Sequence, residues 1–132
     1  MEKSSAPKKK DKNMSTRATV HFEYATGEDE AIIYCQWDGY PEDLGEDLQS
    51  FFAAVQAQTI DTRFYDASYL AAKFVVWKAG QYAKNKAKPL DFLSLGIVKE
   101  DPDDIEYRYL VKCNGNEVPE VKSQVVDKGE GG

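Results

Sequence analysis

Histidine and cysteine are scarce in this 132-residue chain, which holds one histidine, His21, and two cysteines, Cys35 and Cys113. Structural zinc sites use four protein ligands and catalytic zinc sites use three, so the composition argues against a zinc site of the usual kind. Small domains that depend on disulfides carry more cysteines than this chain does. We therefore predict two buried free thiols, while one bridge between neighbouring strands stays open as an alternative.

Long apolar runs and glycine-rich loops are also lacking. No apolar run approaches the roughly 20 residues that span a bilayer, and the N-terminus lacks the apolar segment of a secretory signal. The glycines are scattered at turns and form no phosphate-binding loop. At 42% hydrophobic and 12% aromatic residues, the chain has the composition of a folded domain. We expect a cytoplasmic protein without a cofactor.

Negative charge dominates the chain, but its distribution is uneven. Residues 1–13 carry five lysines and two acids, whereas the other 119 residues carry 12 basic and 21 acidic side chains, a net charge of −9. An acidic folded part repels the phosphates of nucleic acids. The charge therefore favours a host protein with a basic surface as partner, and argues against direct binding to nucleic acid or to a membrane.

The chain is organised as one domain with two unstructured ends. Residues 1–13 have no apolar periodicity and are predicted to form a disordered, lysine-rich extension. Residues 14–127 are predicted to form a single domain of ordinary size, and residues 128–132 a flexible tail. Neither an internal repeat nor a linker divides the domain.

Two segments near the start of the domain predict a hairpin. Residues 16–24 alternate between apolar and polar side chains, which is typical of a half-buried strand; the polar positions include His21 and Glu23, and we expect the histidine at the surface. Residues 31–37 predict a second strand that is apolar on both faces, hence central or covered by a helix. The two strands are expected to pair in antiparallel fashion.

Two amphipathic helices are predicted next. Asp43, with Glu46 three positions later, resembles a capping box and predicts that the first helix begins there. The second helix is predicted from about Asp66 to Lys84. In the first helix the large apolar side chains share one face, namely Leu44, Leu48, Phe51, Phe52 and Val55.

The last third of the chain predicts three more strands. Residues 93–97 and 105–113 alternate, and Asn114-Gly115 favours a tight hairpin after them. Pro119 places the last strand, residues 118–126, at an edge of the sheet, because proline cannot donate to a central ladder. The predicted fold is α+β, in the order β-β-α-α-β-β-β: an antiparallel sheet of about five strands with two helices packed on one face.

Five short motifs together carry a family resemblance. They are Ser15-Thr16-Arg17-Ala18, Trp37-Asp38-Gly39-Tyr40-Pro41, Leu44-Gly45, Thr62-Arg63-Phe64 and Asp104-Ile105-Glu106-Tyr107-Arg108-Tyr109. In this pattern the chain resembles a family of small, largely uncharacterised proteins of bacteria, bacteriophages and mobile elements, over roughly residues 14–113. The resemblance implies a phage or mobile-element setting. It implies no activity and no catalytic residue.

The segment from Trp37 to Asp47 is the candidate functional site. Asp38-Gly39 breaks the preceding strand and Pro41 prevents further strand pairing. An aromatic centre with a charged rim is the composition of a binding interface; the alternative is that the two rings plug the end of the core. The predicted partner-binding residues are Trp37, Asp38, Tyr40, Glu42, Asp43, Glu46 and Asp47.

These features favour a non-enzymatic, acidic protein-binding module that modulates or inhibits a host protein. A nucleic-acid-binding or defence component is one version of that partner, and acidic runs at 28–30, 42–47 and 100–104 would mimic phosphates in its basic groove. The runs lack calcium-loop spacing, and acids at turns and helix starts commonly cap exposed amides. The sequence therefore predicts no metal site.

An alternative function uses the open face of the sheet. A small enzyme or nucleotide-binding module would place His21, Glu23 and Arg108 there. Cys35 could lie across the hairpin from His21 as a Cys–His pair, although the register could equally put the thiol on the opposite face, and the chain has no nucleophile elbow. A third candidate is a homodimer that pairs through the edge strand.

Overall fold

The computed structural model describes residues 16–26, 28–86 and 88–126. The predicted extension at 1–13 and the predicted tail at 128–132 lie outside these residues. The strands are β1 (Ala18–Tyr24), β2 (Asp29–Cys35), β3 (Leu95–Val98), β4 (Tyr107–Cys113) and β5 (Glu120–Val125), and the helices are α1 (Glu46–Gln58), α2 (Ala67–Lys84) and the short α3 (Pro89–Phe92); a π-helical turn, Pro41–Gly45, precedes α1.

The five strands form one sheet in the order β3-β2-β1-β4-β5. This confirms the predicted α+β fold, the β1–β2 hairpin and the edge position of the strand that follows Pro119. The sheet is mixed, however, because β1 and β4 run parallel, so the expectation of an entirely antiparallel sheet is wrong for that pair. The chain leaves β3 at one edge and crosses the sheet through Lys99–Glu106, here called the crossover loop. It therefore enters β4 in the direction of β3 and β1.

A single hydrophobic cluster joins the helices to one face of the sheet. Phe22 of β1 contacts Phe74 of α2 with ring centroids 6.0 Å apart, and Phe51 of α1 contacts Phe74 at 5.3 Å. The helical spacing of the apolar residues places them together on this side, as the sequence predicts. The buried members from the sheet are Ala18, Val20, Phe22, Ile33, Cys35, Tyr109, Val111 and Cys113.

The opposite face of β1 is buried as well. Thr19 has no exposed surface, and His21 and Glu23 are each 7% exposed. The expectation of a surface histidine is therefore wrong. The physical reason is the crossover loop, whose Asp101 contacts the side chains of Thr19 and His21.

The two long helices start differently. The predicted capping box is wrong, because Asp43 lies inside the π-helical turn, where the amides of Asp43 and Leu44 both donate to the Tyr40 carbonyl, and α1 begins only at Glu46. Pro41 opens that turn, as its fixed φ angle allows. The predicted start of α2 is confirmed, since Asp66 is the N-cap and its carboxylate accepts the Tyr69 amide.

The two cysteines are free and buried, as predicted. Cys35 lies on β2 and Cys113 on β4, with β1 between those strands, so the alternative of a disulfide between neighbouring strands does not apply. Among the described residues, every helix is too short or too polar to cross a bilayer.

Candidate functional site

The aromatic turn, residues Trp37–Pro41, is fitted tightly against the start of β1. The Gly39 amide donates to the Thr16 carbonyl over 3.1 Å. A Cβ atom on Gly39 would lie 2.9 Å from the Ala18 Cβ and 3.0 Å from the Thr16 oxygen, so only glycine fits. Asp38 before it has a φ of +60°, in the left-handed region that aspartate tolerates better than most residues. Sterics at two adjacent positions therefore explain the Asp-Gly pair.

Strand β4 holds the same turn from the other side. The buried Tyr109 hydroxyl donates to the Gly39 carbonyl, and the Tyr40 ring packs edge-on against Tyr107 with centroids 5.6 Å apart. Three motifs that carry the family resemblance thus meet at one end of the sheet: the start of β1, the aromatic turn and the start of β4. These contacts give the motif residues a structural role.

The two aromatic residues predicted to bind a partner differ in exposure. Trp37 is 45% exposed, so nearly half of the indole faces solvent. Tyr40 is half-buried against Tyr107. A large, exposed indole on an anchored turn is well placed to contact another molecule, whereas Tyr40 serves chiefly to position the turn.

Five carboxylates crowd the segment that follows Trp37, and we call them the acidic cluster: Asp38, Glu42, Asp43, Glu46 and Asp47. Partial burial, followed by repulsion from the other four acids, raises the pKa of Asp43 above its ordinary value. Partial burial also raises the pKa of Asp38. Repulsion between acids contributes to the shift at Asp43, whereas at Asp38 the nearby Lys78 acts in the opposite direction to burial.

Within residues 16–26, 28–86 and 88–126, Lys78 is the cation that forms an ion pair with the acidic cluster. The Lys78 ammonium of α2 lies 2.8 Å from Asp47 Oδ2. Burial favours the neutral amine, but the hydrogen bond and charge of Asp47 raise the pKa of Lys78. Asp47 therefore has a cationic partner within the protein, which the sequence did not reveal. Glu42, Asp43 and Glu46 are the members of the cluster that could contact cations of another molecule.

The polar face of β1 and β4 is organised around Asp101. Its Oδ1 accepts from the Thr19 hydroxyl at 2.6 Å and lies 2.7 Å from His21 Nε2, while its Oδ2 accepts from Arg108 Nε at 2.6 Å. Burial alone would raise the pKa of Asp101, but the hydrogen bonds from Thr19, His21 and Arg108 hold it below its ordinary value. Asp101 thus occupies the space between His21 and Arg108.

The proposed Cys–His pair is not formed. Ala18 is opposite Cys35 in the hairpin, whereas His21 is opposite Ile32. Positions three apart on a strand point to opposite faces, so the Cys35 thiol lies in the core and His21 lies on the polar side. Burial raises the pKa of the Cys35 thiol to about 12, which leaves it without nucleophilic character at neutral pH.

Two acids of the run at 100–104 are paired within the protein, Asp101 and Asp104, although Glu100, Asp103 and Asp104 are exposed. Asp104 Oδ2 accepts from the Tyr34 hydroxyl at 3.1 Å and lies 3.2 Å from Arg17 Nε, as Asp101 does with its own partners. The run at 28–30 has only Glu28 among the described side chains, since those of Asp29 and Glu30 lie outside them. No group of three or more histidines, cysteines and acids in the described part of the chain could hold a metal ion.

No family model matches this chain, and no curated protein or solved structure is significantly similar to it. Function therefore has to be inferred from the contacts above.

Proposed function

We propose that this protein is a non-enzymatic binding module that docks on a basic surface of a host protein through Trp37 and the acidic cluster. The observation that supports this most directly is the crowding of acids around Asp43, whose pKa is raised by partial burial and then by the neighbouring carboxylates, while the cation Lys78 is engaged with Asp47. Like charges held together cost free energy, which a basic partner would offset. Trp37 would supply the apolar anchor.

The chemistry of the partner follows from the shape of this surface. A short row of carboxylates beside an exposed ring suits a groove lined by lysine or arginine, such as one that binds nucleic acid. Phosphate mimicry would then rest on Glu42, Asp43 and Glu46. Together with the resemblance to phage and mobile-element proteins, this leads us to propose an inhibitor of a cytoplasmic nucleic-acid-binding or defence component.

The rival function, an enzyme or nucleotide-binding module on the polar face, has less support. His21 and Arg108 do lie close together on that face, but the Asp101 carboxylate is bound between them. Glu23 lies 3.9 Å from Lys112. A substrate would therefore first have to displace Asp101 from His21 and Arg108, and no cysteine nucleophile or metal cluster of the described residues lies among these groups.

The test uses the triple variant Glu42→Gln, Asp43→Asn and Glu46→Gln. Its matched control neutralises three exposed acids elsewhere, Asp91, Glu117 and Glu120, so both proteins have the same net charge. Each is immobilised beside the wild type and exposed to host lysate, and captured proteins are purified and titrated by calorimetry. We expect the triple variant to bind at least about tenfold more weakly, near 1.4 kcal/mol, and the control to match the wild type.

Two further measurements sharpen the outcome. Trp37→Ala should also weaken binding, and a duplex oligonucleotide should compete if the partner's nucleic-acid groove is the docking site. If every purified partner binds the triple variant and the control equally well, docking through the acidic cluster is wrong. If the oligonucleotide fails to compete while the triple variant still loses affinity, the phosphate-mimicry version alone is wrong.

A further inference from the structure

The Asp101 carboxylate is held as a bound anion would be. A hydroxyl, an imidazole nitrogen and a guanidinium nitrogen surround it within 2.7 Å, from Thr19, His21 and Arg108. Thr19 is fully buried and His21 more than nine-tenths buried, so two of the three groups are fixed by the sheet itself. Hydrogen bonds of this kind, directed at one oxyanion, are the usual means of binding a carboxylate or a phosphate.

Two arginines lie at this site although the protein as a whole is acidic, and the buried Glu23 on the same face is paired with Lys112. Arg17 and Arg108 both project onto the polar face and both are paired with aspartates of the crossover loop. That loop carries four acids within five residues, Glu100, Asp101, Asp103 and Asp104. An acidic segment therefore covers a face that would otherwise present cations to solvent.

The crossover loop is longer than the straight distance between the strand ends that it joins. Strand register places Val98 level with His21 and Tyr107 level with Ala18, three strand positions apart. Three inter-strand spacings and three residues along the strands give a diagonal of about 17 Å. Nine Cα–Cα steps can reach about 30 Å. Residues 99–104 thus have the length to move off the face without breaking strand pairing, while the end of the loop stays fixed by the buried Ile105 and by the Glu106 amide, which donates to the Arg17 carbonyl over 2.7 Å.

We propose that Thr19, His21 and Arg108 form a binding site for a small oxyanion, and that Asp101 occupies this site as a tethered, displaceable ligand. A phosphate or carboxylate group exchanges with the Asp101 carboxylate, and the crossover loop lifts away as it does so. This site lies on the polar face and uses none of the residues of the acidic cluster, so it stands independently of the docking function.

The test compares the wild type with Asp101→Ala and with the matched control Glu100→Gln, which removes an exposed acid from the same loop. Inorganic phosphate is titrated at pH 7 and constant ionic strength while backbone amide shifts are followed by NMR. We expect Asp101→Ala to bind phosphate at least about tenfold more tightly than the wild type, with the largest shifts at Thr19, His21 and Arg108. Glu100→Gln should match the wild type, and adding Arg108→Gln to Asp101→Ala should abolish the gain.

A second variant and a second anion complete the test. Asp101→Asn retains the side-chain volume and replaces the alanine variant if that variant is unfolded. Acetate titrated into the same protein distinguishes a carboxylate ligand from a phosphate ligand, and saturable shifts at His21 and Arg108 with either anion support the site. Folded Asp101→Ala or Asp101→Asn that binds both anions no more tightly than Glu100→Gln, or that binds them elsewhere, overturns the proposal.

Discussion

The Tyr109 hydroxyl donates a buried hydrogen bond to the Gly39 carbonyl, so β4 carries the aromatic turn that presents Trp37. Tyr109→Phe keeps the ring and removes only the donor. Leaving a buried carbonyl without its partner costs about 1–3 kcal/mol, and we expect this loss in urea denaturation. Tyr107→Phe is the control, since that hydroxyl makes no hydrogen bond within the described residues, and it should change stability by less than about 0.5 kcal/mol. Equal losses in the two variants would contradict the assigned role of the bond.

Gly39 and Gly80 form a matched pair for substitution by alanine. At Gly39 a Cβ would meet Ala18 and Thr16 at 3.0 Å or less, whereas at Gly80 nothing lies within 4 Å. Gly39→Ala should destabilise the fold by about 1–3 kcal/mol through overpacking. Gly80→Ala, at an exposed position inside α2, should stabilise it by about 0.5–1 kcal/mol. Denaturation midpoints measured side by side check both signs, and a stabilised Gly39→Ala would show that the turn can move.

The elements that the sequence predicted correctly are those set by local periodicity. Alternation identified β1, a run that is apolar on both faces identified β2, and apolar spacing identified α1 and α2, because each pattern reflects which faces are buried. The parallel pairing of β1 with β4 was not predictable in this way. The pairing depends on the course of the crossover loop, eight residues of irregular structure. The alternation in β4 would be the same beside any other strand.

Burial of the two thiols predicts that they are chemically inert in the native protein. Desolvation raises the pKa of Cys35 and of Cys113 to about 12, so at pH 8 roughly one in ten thousand would be ionised. Ellman's reagent should therefore detect no thiol in the folded protein and two after unfolding in guanidinium. Rapid reaction of either thiol at pH 8 without denaturant would contradict the burial.

The raised pKa values of the two thiols also make the fold sensitive to alkali. A thiol whose pKa is higher in the folded state contributes stability that is complete below its unfolded pKa, about 8.5, and is lost as the pH rises towards about 12. We expect urea denaturation to show a loss between pH 8 and pH 11. The double variant Cys35→Ala/Cys113→Ala should lose less over the same interval than the wild type, and an equal loss would assign the alkaline sensitivity to other groups.

The candidate site was only partly predictable, because some of its contacts join residues that are far apart in the sequence. The acids and aromatics of the turn stand in one short segment, so composition alone singles them out. The partner of Asp47 is Lys78, 31 residues later, and two of the partners of Asp101, Thr19 and His21, lie about 80 residues earlier on β1. Buried polar groups need hydrogen-bond partners. Alternation in β1 predicted an open polar face with His21 at the surface, and it held no sign that Asp101 covers that face.

Asp101 should make the fold sensitive to acid. Because its pKa is lower in the folded protein, its contribution is complete above the unfolded value of about 3.9 and is lost as the pH falls through the folded value. At pH 7 we expect Asp101→Asn to be less stable than the wild type by about 2 kcal/mol, since a partly buried charged partner is removed. The difference should shrink below pH 4, because the carboxylate of the unfolded wild type takes up a proton there before that of the folded protein does. Urea denaturation at pH 7 and pH 3 measures it, with Glu100→Gln as the control expected to match the wild type at both. If the stability difference between the wild type and Asp101→Asn were unchanged at pH 3, the side-chain shape of Asp101, and not its charge, would hold the crossover loop on the sheet.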